Sequence, residues 1–318
     1  MEGTRPERLH GNVNTALGLI AAPFTPFKAD GSLALDRIGP YAERLYRQGI
    51  SGAFVAGTTG EGASLTSRER RELLECWQRE RPKALRLIAH VGHQSLAESC
   101  ELAAHAHACG ADAIGALFPS FFRPASIDDL VACCAQIARA APGLPFFYYH
   151  MPSMTRVNFA MAEFLPKAVS SIPSFAGIKY THEDLMDYGL TLAAAGERYS
   201  VLFGRDEVLL CALSLGSKGA VGSTYNYLAP LYLRMIDAFH DGRREEAREL
   251  QLKAQQIIAV MISHGGLSAG KAIMGLVGLE CGGMRNPLPS LTLTQTRMLR
   301  DDLESAGMFA TNISGHTH

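Results

Sequence analysis

One lysine of this chain stands where an amine could act as a nucleophile. Lys179 ends a short apolar segment, Phe175-Ala-Gly-Ile-Lys-Tyr180, that is typical of a buried strand. Burial penalises the ammonium form, so it lowers the pKa of a lysine from about 10.4 and frees the amine to form a Schiff base with a ketone. The alternative is a lysine at a strand end whose ammonium extends into water. These six residues alone do not decide between the two.

Two other segments carry groups that could bind or move protons. The loop Gly57-Thr-Thr-Gly-Glu-Gly62 offers backbone N–H groups and the hydroxyls of Thr58 and Thr59, which together could hold a carboxylate or phosphate. A tight turn between a strand and a helix needs similar glycines, so that reading stays open. Tyr149 offers a phenol for proton transfer. Alternatively, it is an aromatic residue at the interface of core and solvent whose hydroxyl has one hydrogen-bond partner.

Two further pairs of titratable residues permit more than one reading. Asp206 and Glu207 could bind a ligand, or they could begin a helix, where acidic residues are favoured. His105 and His107 have the spacing of a metal-ligand pair, but they lie in an alanine-rich helical pattern in which residues i and i+2 point apart. We therefore predict no metal site.

Eight apolar segments alternate with helical patterns and would position these groups. They lie at residues 17–24, 51–56, 85–91, 113–118, 144–149, 175–179, 201–203 and 220–223. Apolar runs without alternation indicate strands covered on both faces, as in parallel sheets. Eight such units predict a closed (β/α)8 barrel, whose active site collects at the carboxyl ends of the strands. A doubly wound sheet would need a glycine-rich phosphate turn after the first strand, where the chain has Pro23-Phe-Thr-Pro26.

The strand pattern ends near residue 230, and helical patterns follow. We predict a catalytic barrel at 12–230, a small C-terminal helical domain at 231–309 and a mobile polar tail at 310–318. The helices of the second domain are expected at 243–260, 268–277 and 291–303.

Composition excludes several classes of function. The 318 residues are 47% hydrophobic and 19% charged, with a formal net charge of −1. This near-zero net charge lacks the excess of basic residues that is typical of proteins that bind nucleic acid or an anionic membrane. No apolar run reaches the roughly 18 residues of a spanning helix, and the polar N-terminus lacks a signal-peptide core. The seven cysteines have no framework spacing and suit reduced thiols. We expect a cytoplasmic protein with a small-molecule substrate.

The motifs at the strand ends resemble one family. The residues that carry the resemblance are 57–62, Tyr149, Gly177-Ile-Lys179 and the segment Val221-Gly-Ser-Thr-Tyr-Asn226, in this order on successive strands. Together they resemble the dihydrodipicolinate synthase/N-acetylneuraminate lyase superfamily over residues 17–279, and they are most similar to its lyase branch.

The resemblance implies a class I aldolase that needs no metal or organic cofactor. It implies that Lys179 forms a Schiff base with the C2 ketone of the substrate. Tyr149 would move the proton of the aldol hydroxyl with help from Thr58, while Thr58, Thr59 and nearby amides hold the carboxylate. The implied reaction is the reversible cleavage of N-acetylneuraminate, a sialic acid, to N-acetylmannosamine and pyruvate.

The resemblance also assigns the sugar-binding residues. Asp206, Glu207 and Ser223 match positions that bind the polyol tail, and Thr181 and Gly204 match further contacts. Carboxylates suit such a tail, because buried hydroxyls without partners cost affinity. Arg205 is given no role.

Two departures argue against the synthase branch. Met154 stands where the synthase has an arginine for a second carboxylate, and Phe122 lies near the place of a tyrosine that the synthase borrows from a neighbouring subunit. Two alternatives stay open: another pyruvate-dependent aldolase of a keto-deoxy sugar acid, and a non-catalytic sugar-acid sensor. The family is usually tetrameric, so a homotetramer is expected.

Overall fold

Eight parallel strands form a closed barrel in the computed structural model, which describes residues 18–117 and 119–310. The strands are β1 Gly18–Ala21, β2 Gly52–Val55, β3 Arg86–His90, β4 Ala113–Ala116, β5 Phe146–His150, β6 Phe175–Tyr180, β7 Ser200–Phe203 and β8 Gly219–Gly222. Each strand pairs with the next in the chain, and β8 closes the ring by pairing with β1. The predicted (β/α)8 barrel is confirmed. The predicted strand ends at residues 17 and 118 lie outside the described residues.

Twelve α-helices surround or follow the strands in the described part of the chain. They are α1 Ile38–Arg47, α2 Ser67–Glu80, α3 Leu96–Cys109, α4 Ile127–Ala140, α5 Pro152–Thr155, α6 Met161–Ser171, α7 Leu185–Ala195, α8 Leu209–Ser214, α9 Tyr225–His240, α10 Arg244–Ser263, α11 Leu267–Leu276 and α12 Leu293–Ser305. Short 3-10 helices lie at Leu35–Arg37, Gly62–Ser64 and Asp206–Val208. Side-chain caps fix several helix starts, including the capping box of Thr66 and Glu69 that opens α2.

Side chains alternate between the inside and the outside of the barrel, as the two-residue period of a strand requires, except where the register of the β5–β6 pair shifts beside Phe146 and Phe147. The inward residues form one apolar cluster: Ile20, Ala22, Phe54, Ile88, Ala113, Phe147, Tyr149, Ala176, Leu202 and Val221. Tyr148, directly before Tyr149, points outward and packs on Phe164 of α6, with ring centroids 4.8 Å apart. Tyr149 is therefore directed inward by strand geometry and held there by packing on both faces of β5.

The last four helices pack on one another and meet the barrel through α9 and α10. α9 contacts β1 and runs beside α10, while α11 and α12 pack on α10. The three helices expected after residue 243 are present, with ends shifted by one to three residues. The predicted boundary after residue 230 falls inside α9, and the division into two domains stays a prediction. The predicted tail lies outside the described residues except for Ala310.

Among the described residues no single helix is long and apolar enough to cross a membrane. Helices α10 and α11, which meet at a bend of 111°, satisfy the length and composition requirement only when they are taken together.

Candidate active site

One cavity of about 320 Å³ opens at the carboxyl ends of the strands, and its walls contain all nine of the predicted site residues. These are Thr58, Thr59, Tyr149, Lys179, Thr181, Gly204, Asp206, Glu207 and Ser223. A cavity of the same volume lies at the opposite end, where Ser200 begins β7 and Gly219 begins β8, and it contains none of them. In barrel enzymes the carboxyl-end face carries the chemistry, so the first cavity is the candidate active site.

Lys179 lies in an apolar and aromatic environment at the base of this cavity. Its side chain is 4% exposed, and Nζ lies 3.9 Å from the ring centroid of Tyr149 and 4.2 Å from that of Phe54. Burial lowers the pKa of Lys179 to about 7, and the nearby charge of Asp206 opposes this only in part. Much of the amine is therefore neutral and nucleophilic at neutral pH.

Tyr149 is the direct neighbour of Lys179 across the β5–β6 pair. Its hydroxyl lies 3.3 Å from Thr58 Oγ1 and 3.0 Å from Met151 Sδ. Burial raises the pKa of Tyr149 to about 12, although the Thr58 hydrogen bond acts in the opposite direction. A protonated phenol thus lies beside the amine, linked to a second hydroxyl that could carry its proton.

The loop after β2 presents Thr58 and Thr59 to the cavity. A hydrogen bond of 3.1 Å from the Glu61 N–H to the Thr58 carbonyl closes the turn. Within the described residues the N–H groups of Thr58 and Thr59 donate to no backbone carbonyl, which leaves them available for an anion. The helix start expected close to this loop is one turn of 3-10 helix, and α2 begins only at Ser67. The groups that this loop presents to the cavity are therefore amides and hydroxyls, and no long helix of the described residues begins beside them.

Asp206 is a buried group of the cavity. It is 5% exposed and accepts hydrogen bonds from the backbone N–H and the hydroxyl of Thr224, at 2.8 and 2.7 Å. Burial raises the pKa of Asp206 to about 6, and the Thr224 bonds limit the rise. Gly222 makes this close approach possible, since a Cβ there would lie 2.1 Å from Asp206 Oδ1. Asp206 therefore both begins a 3-10 helix and lines the cavity.

Glu207 lies nearer the mouth of the cavity and is held by an arginine. Arg205 donates to Glu207 Oε1 at 2.8 Å and to Glu183 Oε1 at 2.7 Å. The Glu207 side chain is 34% exposed and that of Arg205 is 26% exposed. Two acidic groups thus stand at different depths along one wall, as a chain of hydroxyls would require.

Thr181, Gly204 and Ser223 complete this wall between Lys179 and the acidic pair. The Thr181 hydroxyl is buried, and it lies close enough to Tyr149 to lower the phenol's pKa. A Cβ at position 204 would lie 1.9 Å from Thr181 Oγ1, so only glycine lets β7 approach here. The close approach explains why a glycine follows β7 in the cavity wall.

No three His, Cys, Asp or Glu side chains of the described residues lie close enough together to bind a metal ion. His105 is engaged elsewhere, with Nε2 2.8 Å from Glu75 Oε1 on the neighbouring helix. The side chains that face the cavity include an amine, a phenol, threonine hydroxyls and two carboxylates.

This geometry agrees with a comparison against known protein families. The model described as the dihydrodipicolinate synthetase family matches residues 15–306. The chain belongs to this family. The N-acetylneuraminate lyase of Xenopus tropicalis is 44% identical over 296 residues, which cover 90% of this chain and 97% of the relative.

Solved structures give the same family. The N-acetylneuraminate lyase of Aliivibrio salmonicida superposes with a TM-score of 0.90 at 38% identity, covering 94% of this chain and 98% of its own. The Proteus mirabilis N-acetylneuraminate lyase gives a TM-score of 0.88 at 39% identity, covering 91% of this chain and 98% of its own. The barrel and its C-terminal helices are therefore a family architecture.

Sequence reasoning missed three features of the site in this family member. The clamp that Arg205 forms on Glu207 was not predicted, although the two residues are close in the chain. The cavity wall from α10 and α11, with Ile258, Met261 and Leu267, was also missed because it comes from distant sequence. The third is Lys271, a lone lysine among small and apolar residues of α11, which does not line the cavity but pairs with Glu61 in the loop after β2.

Proposed function

We propose that the protein is an N-acetylneuraminate lyase, which reversibly cleaves N-acetylneuraminate to N-acetylmannosamine and pyruvate. One observation carries the proposal. Lys179, with a pKa lowered to about 7, lies beside Tyr149 in a cavity whose other wall holds Asp206 and Glu207. Relatives named as N-acetylneuraminate lyases, over 40% identical along most of the chain, support the same substrate.

The reaction begins at Lys179. The neutral amine attacks the C2 ketone of the open-chain substrate, and loss of water with uptake of one proton from solvent leaves a protonated imine. The N–H groups and hydroxyls of Thr58 and Thr59 hold the adjacent carboxylate, which fixes C2 against the amine. The substrate is then bonded to Lys179 at C2 and held through its carboxylate by the two threonines. The rest of its carbon chain, beginning with the C3–C4 bond, extends along the cavity.

Tyr149 handles the proton of the aldol step. In the direction of synthesis, the enamine carbon attacks the aldehyde and the phenol gives its proton to the aldehyde oxygen, with Thr58 hydrogen-bonded to the phenol. In cleavage the phenolate takes that proton back, C3–C4 breaks, and its electron pair flows into the imine nitrogen. The imine's positive charge beside the Tyr149 ring stabilises the phenolate, which offsets a resting pKa of about 12. Protonation at C3 and hydrolysis then release pyruvate.

The acidic wall accounts for the sugar. Asp206, Glu207 and Ser223 offer acceptors for the hydroxyls of the polyol tail, with Thr181 and Gly204 between them and the imine. A hydroxyl-rich tail would otherwise lose its hydrogen bonds to water on entering the cavity. An aldolase for a shorter keto-deoxy sugar acid would have less use for a second carboxylate near the mouth.

Borohydride trapping tests the chemistry, and a substrate comparison tests the sugar. Pyruvate with borohydride should add the mass of a reduced adduct to the peptide that contains Lys179. An absent adduct would favour a non-catalytic sugar-acid sensor. Cleavage of N-acetylneuraminate should then exceed cleavage of 2-keto-3-deoxygluconate, and the opposite preference would favour an aldolase of another keto-deoxy sugar acid.

We further propose a cytoplasmic homotetramer. Large apolar side chains stand exposed on the single chain, including Phe121 at 78%, Phe122 at 83% and Met186 at 75%. Contacts between subunits would cover such side chains. Light scattering of the purified protein should give the mass of four chains, and replacement of both phenylalanines by serine should lower that mass.

A further inference from the structure

A buried ion pair joins the carboxylate-binding loop to α11, and the proposed mechanism does not use it. Lys271 Nζ lies 2.6 Å from Glu61 Oε1, and the two side chains are 1% and 0% exposed. The same ammonium lies 4.1 Å from the ring centroid of Phe27. Such a pair is costly to desolvate, and an apolar pair of similar volume is often equally stable, so stability alone does not explain it.

Glu61 is held in an unusual conformation. Its φ of 54° and ψ of 32° lie in the left-handed region, which is uncommon for a residue with a Cβ. Its second oxygen accepts a hydrogen bond of 2.8 Å from the Arg285 N–H, so one carboxylate connects the loop both to α11 and to the segment beyond it. A strained residue persists only where its surroundings determine its conformation, and these two contacts do so.

The conformation of Glu61 decides how the threonines are presented. Its N–H closes the turn by donating to the Thr58 carbonyl at 3.1 Å, and the Thr25 hydroxyl holds the intervening Gly60 carbonyl at 2.6 Å. The two threonines therefore lie on a short turn with its far end fixed by the ion pair. On α11, Leu267 lies one turn before Lys271 and reaches the cavity wall, so the pair also ties the loop to that wall.

We propose that Glu61 and Lys271 are positioning residues, whose buried ion pair holds Thr58 and Thr59 in the geometry that binds the substrate's carboxylate. The inference rests on the proposed function, because it concerns the carboxylate of a keto acid that is bound as an imine. Neither side chain lines the cavity, and both act through the loop. Their loss should therefore weaken binding of the carboxylate more than it slows the chemistry at Lys179.

The test compares Glu61→Gln, Lys271→Met and the double variant E61Q/K271M with the wild type. The measured quantities are the pyruvate concentration that half-saturates borohydride trapping, and the trapping rate at saturating pyruvate. All three variants should raise the half-saturating concentration about tenfold and change the saturated rate less than twofold, since misplaced donors weaken binding of the ground state. The double variant is essential, because it removes the pair without leaving a buried charge and should fold even if a single variant does not.

Glu69→Gln is the matched control. It breaks another ion pair of the same region, between Glu69 and Arg285, without touching the turn of the threonines. Its half-saturating pyruvate concentration should stay within twofold of the wild type. A folded double variant that also stays within twofold would overturn the inference while the wild-type adduct leaves the proposed function standing. A wild-type protein that gives no adduct would remove both.

Discussion

Two lysines of this chain are buried alike, but they have different partners. Lys179 and Lys271 are 4% and 2% exposed, and each ammonium lies about 4 Å from an aromatic ring. Lys271 has a carboxylate at 2.6 Å, whereas the charged neighbour of Lys179, Asp206, acts on it without a hydrogen bond. Burial lowers the pKa of both, but at Lys271 the bond and charge of Glu61 oppose the change. Pairing, rather than burial or ring contact, therefore distinguishes the proposed nucleophile from the proposed positioning lysine.

Lys179→Met should have the largest effect on turnover. Turnover and adduct formation should both fall below detection, because no other group supplies the imine. Mass mapping after borohydride trapping and a pyruvate release assay measure the two. Turnover above background in this variant would exclude the imine mechanism.

The same variant should not lose stability. The folded pKa of about 7 lies below the unfolded value of 10.5, so the unfolded chain binds the extra proton between these pH values. Lys179 therefore destabilises the fold, fully below pH 7 and not at all above pH 10.5. Lys179→Met should raise the free energy of unfolding at pH 7, and urea denaturation measures this. A marked loss would mean that the ammonium is paired in solution.

Tyr149→Phe should give the next largest effect on turnover. The substitution keeps the ring beside Lys179 and removes only the hydroxyl, so kcat should fall roughly 10²- to 10⁴-fold, the usual contribution of a positioned acid–base group. Adduct formation with pyruvate should persist, because the amine and the anion site remain. Steady-state kinetics and trapping on the same sample separate the two steps, and equal losses in both would make Tyr149 a packing residue.

Lys271→Met should destabilise the fold, in contrast to the same substitution at Lys179. It leaves the Glu61 carboxylate buried without its cation, and removal of one partner of a buried pair costs about 3 to 5 kcal/mol. Urea denaturation at pH 7 checks the sign. A gain in stability would show that pairing does not separate the two lysines.

The sequence predicted one of these lysines and missed the other for a physical reason. Lys179 lies at the carboxyl end of an apolar strand, and parallel strands carry these ends to one face, so local pattern and barrel topology indicated its place in the cavity. Lys271 lies on a helix, where its direction depends on packing, and its partner Glu61 lies 210 residues away. No local pattern encodes such a contact. Pattern and topology predicted the barrel, and the family resemblance added Thr181, Gly204 and Ser223, but neither predicted the contacts that hold the cavity residues in place.

The pH dependence of imine formation measures the pKa of Lys179. The trapping rate at low pyruvate should fall about tenfold per unit below pH 7, because only the neutral amine attacks. The Asp206 charge raises the pKa of Lys179, so Asp206→Asn should move this acidic limb to lower pH. A limb near pH 10 would mean that the amine is not desolvated.

Arg205→Ala tests whether a partly exposed ion pair contributes as much to the free energy of unfolding as the buried pair of Lys271. Arg205 is ion-paired to Glu183 and Glu207, like Lys271 to Glu61, but its side chain is 26% exposed and that of Glu183 is 73% exposed. Exposed pairs contribute roughly 0.2 to 1 kcal/mol, so the free energy of unfolding should change far less than in Lys271→Met. Without the clamp Glu207 becomes mobile, and KM for N-acetylneuraminate should rise a few-fold while half-saturating pyruvate for trapping stays unchanged. Glu183→Gln is the matched control, because it removes the outer contact and leaves the bond to Glu207. An Arg205→Ala protein as destabilised as Lys271→Met would show that ion pairing outweighs burial here.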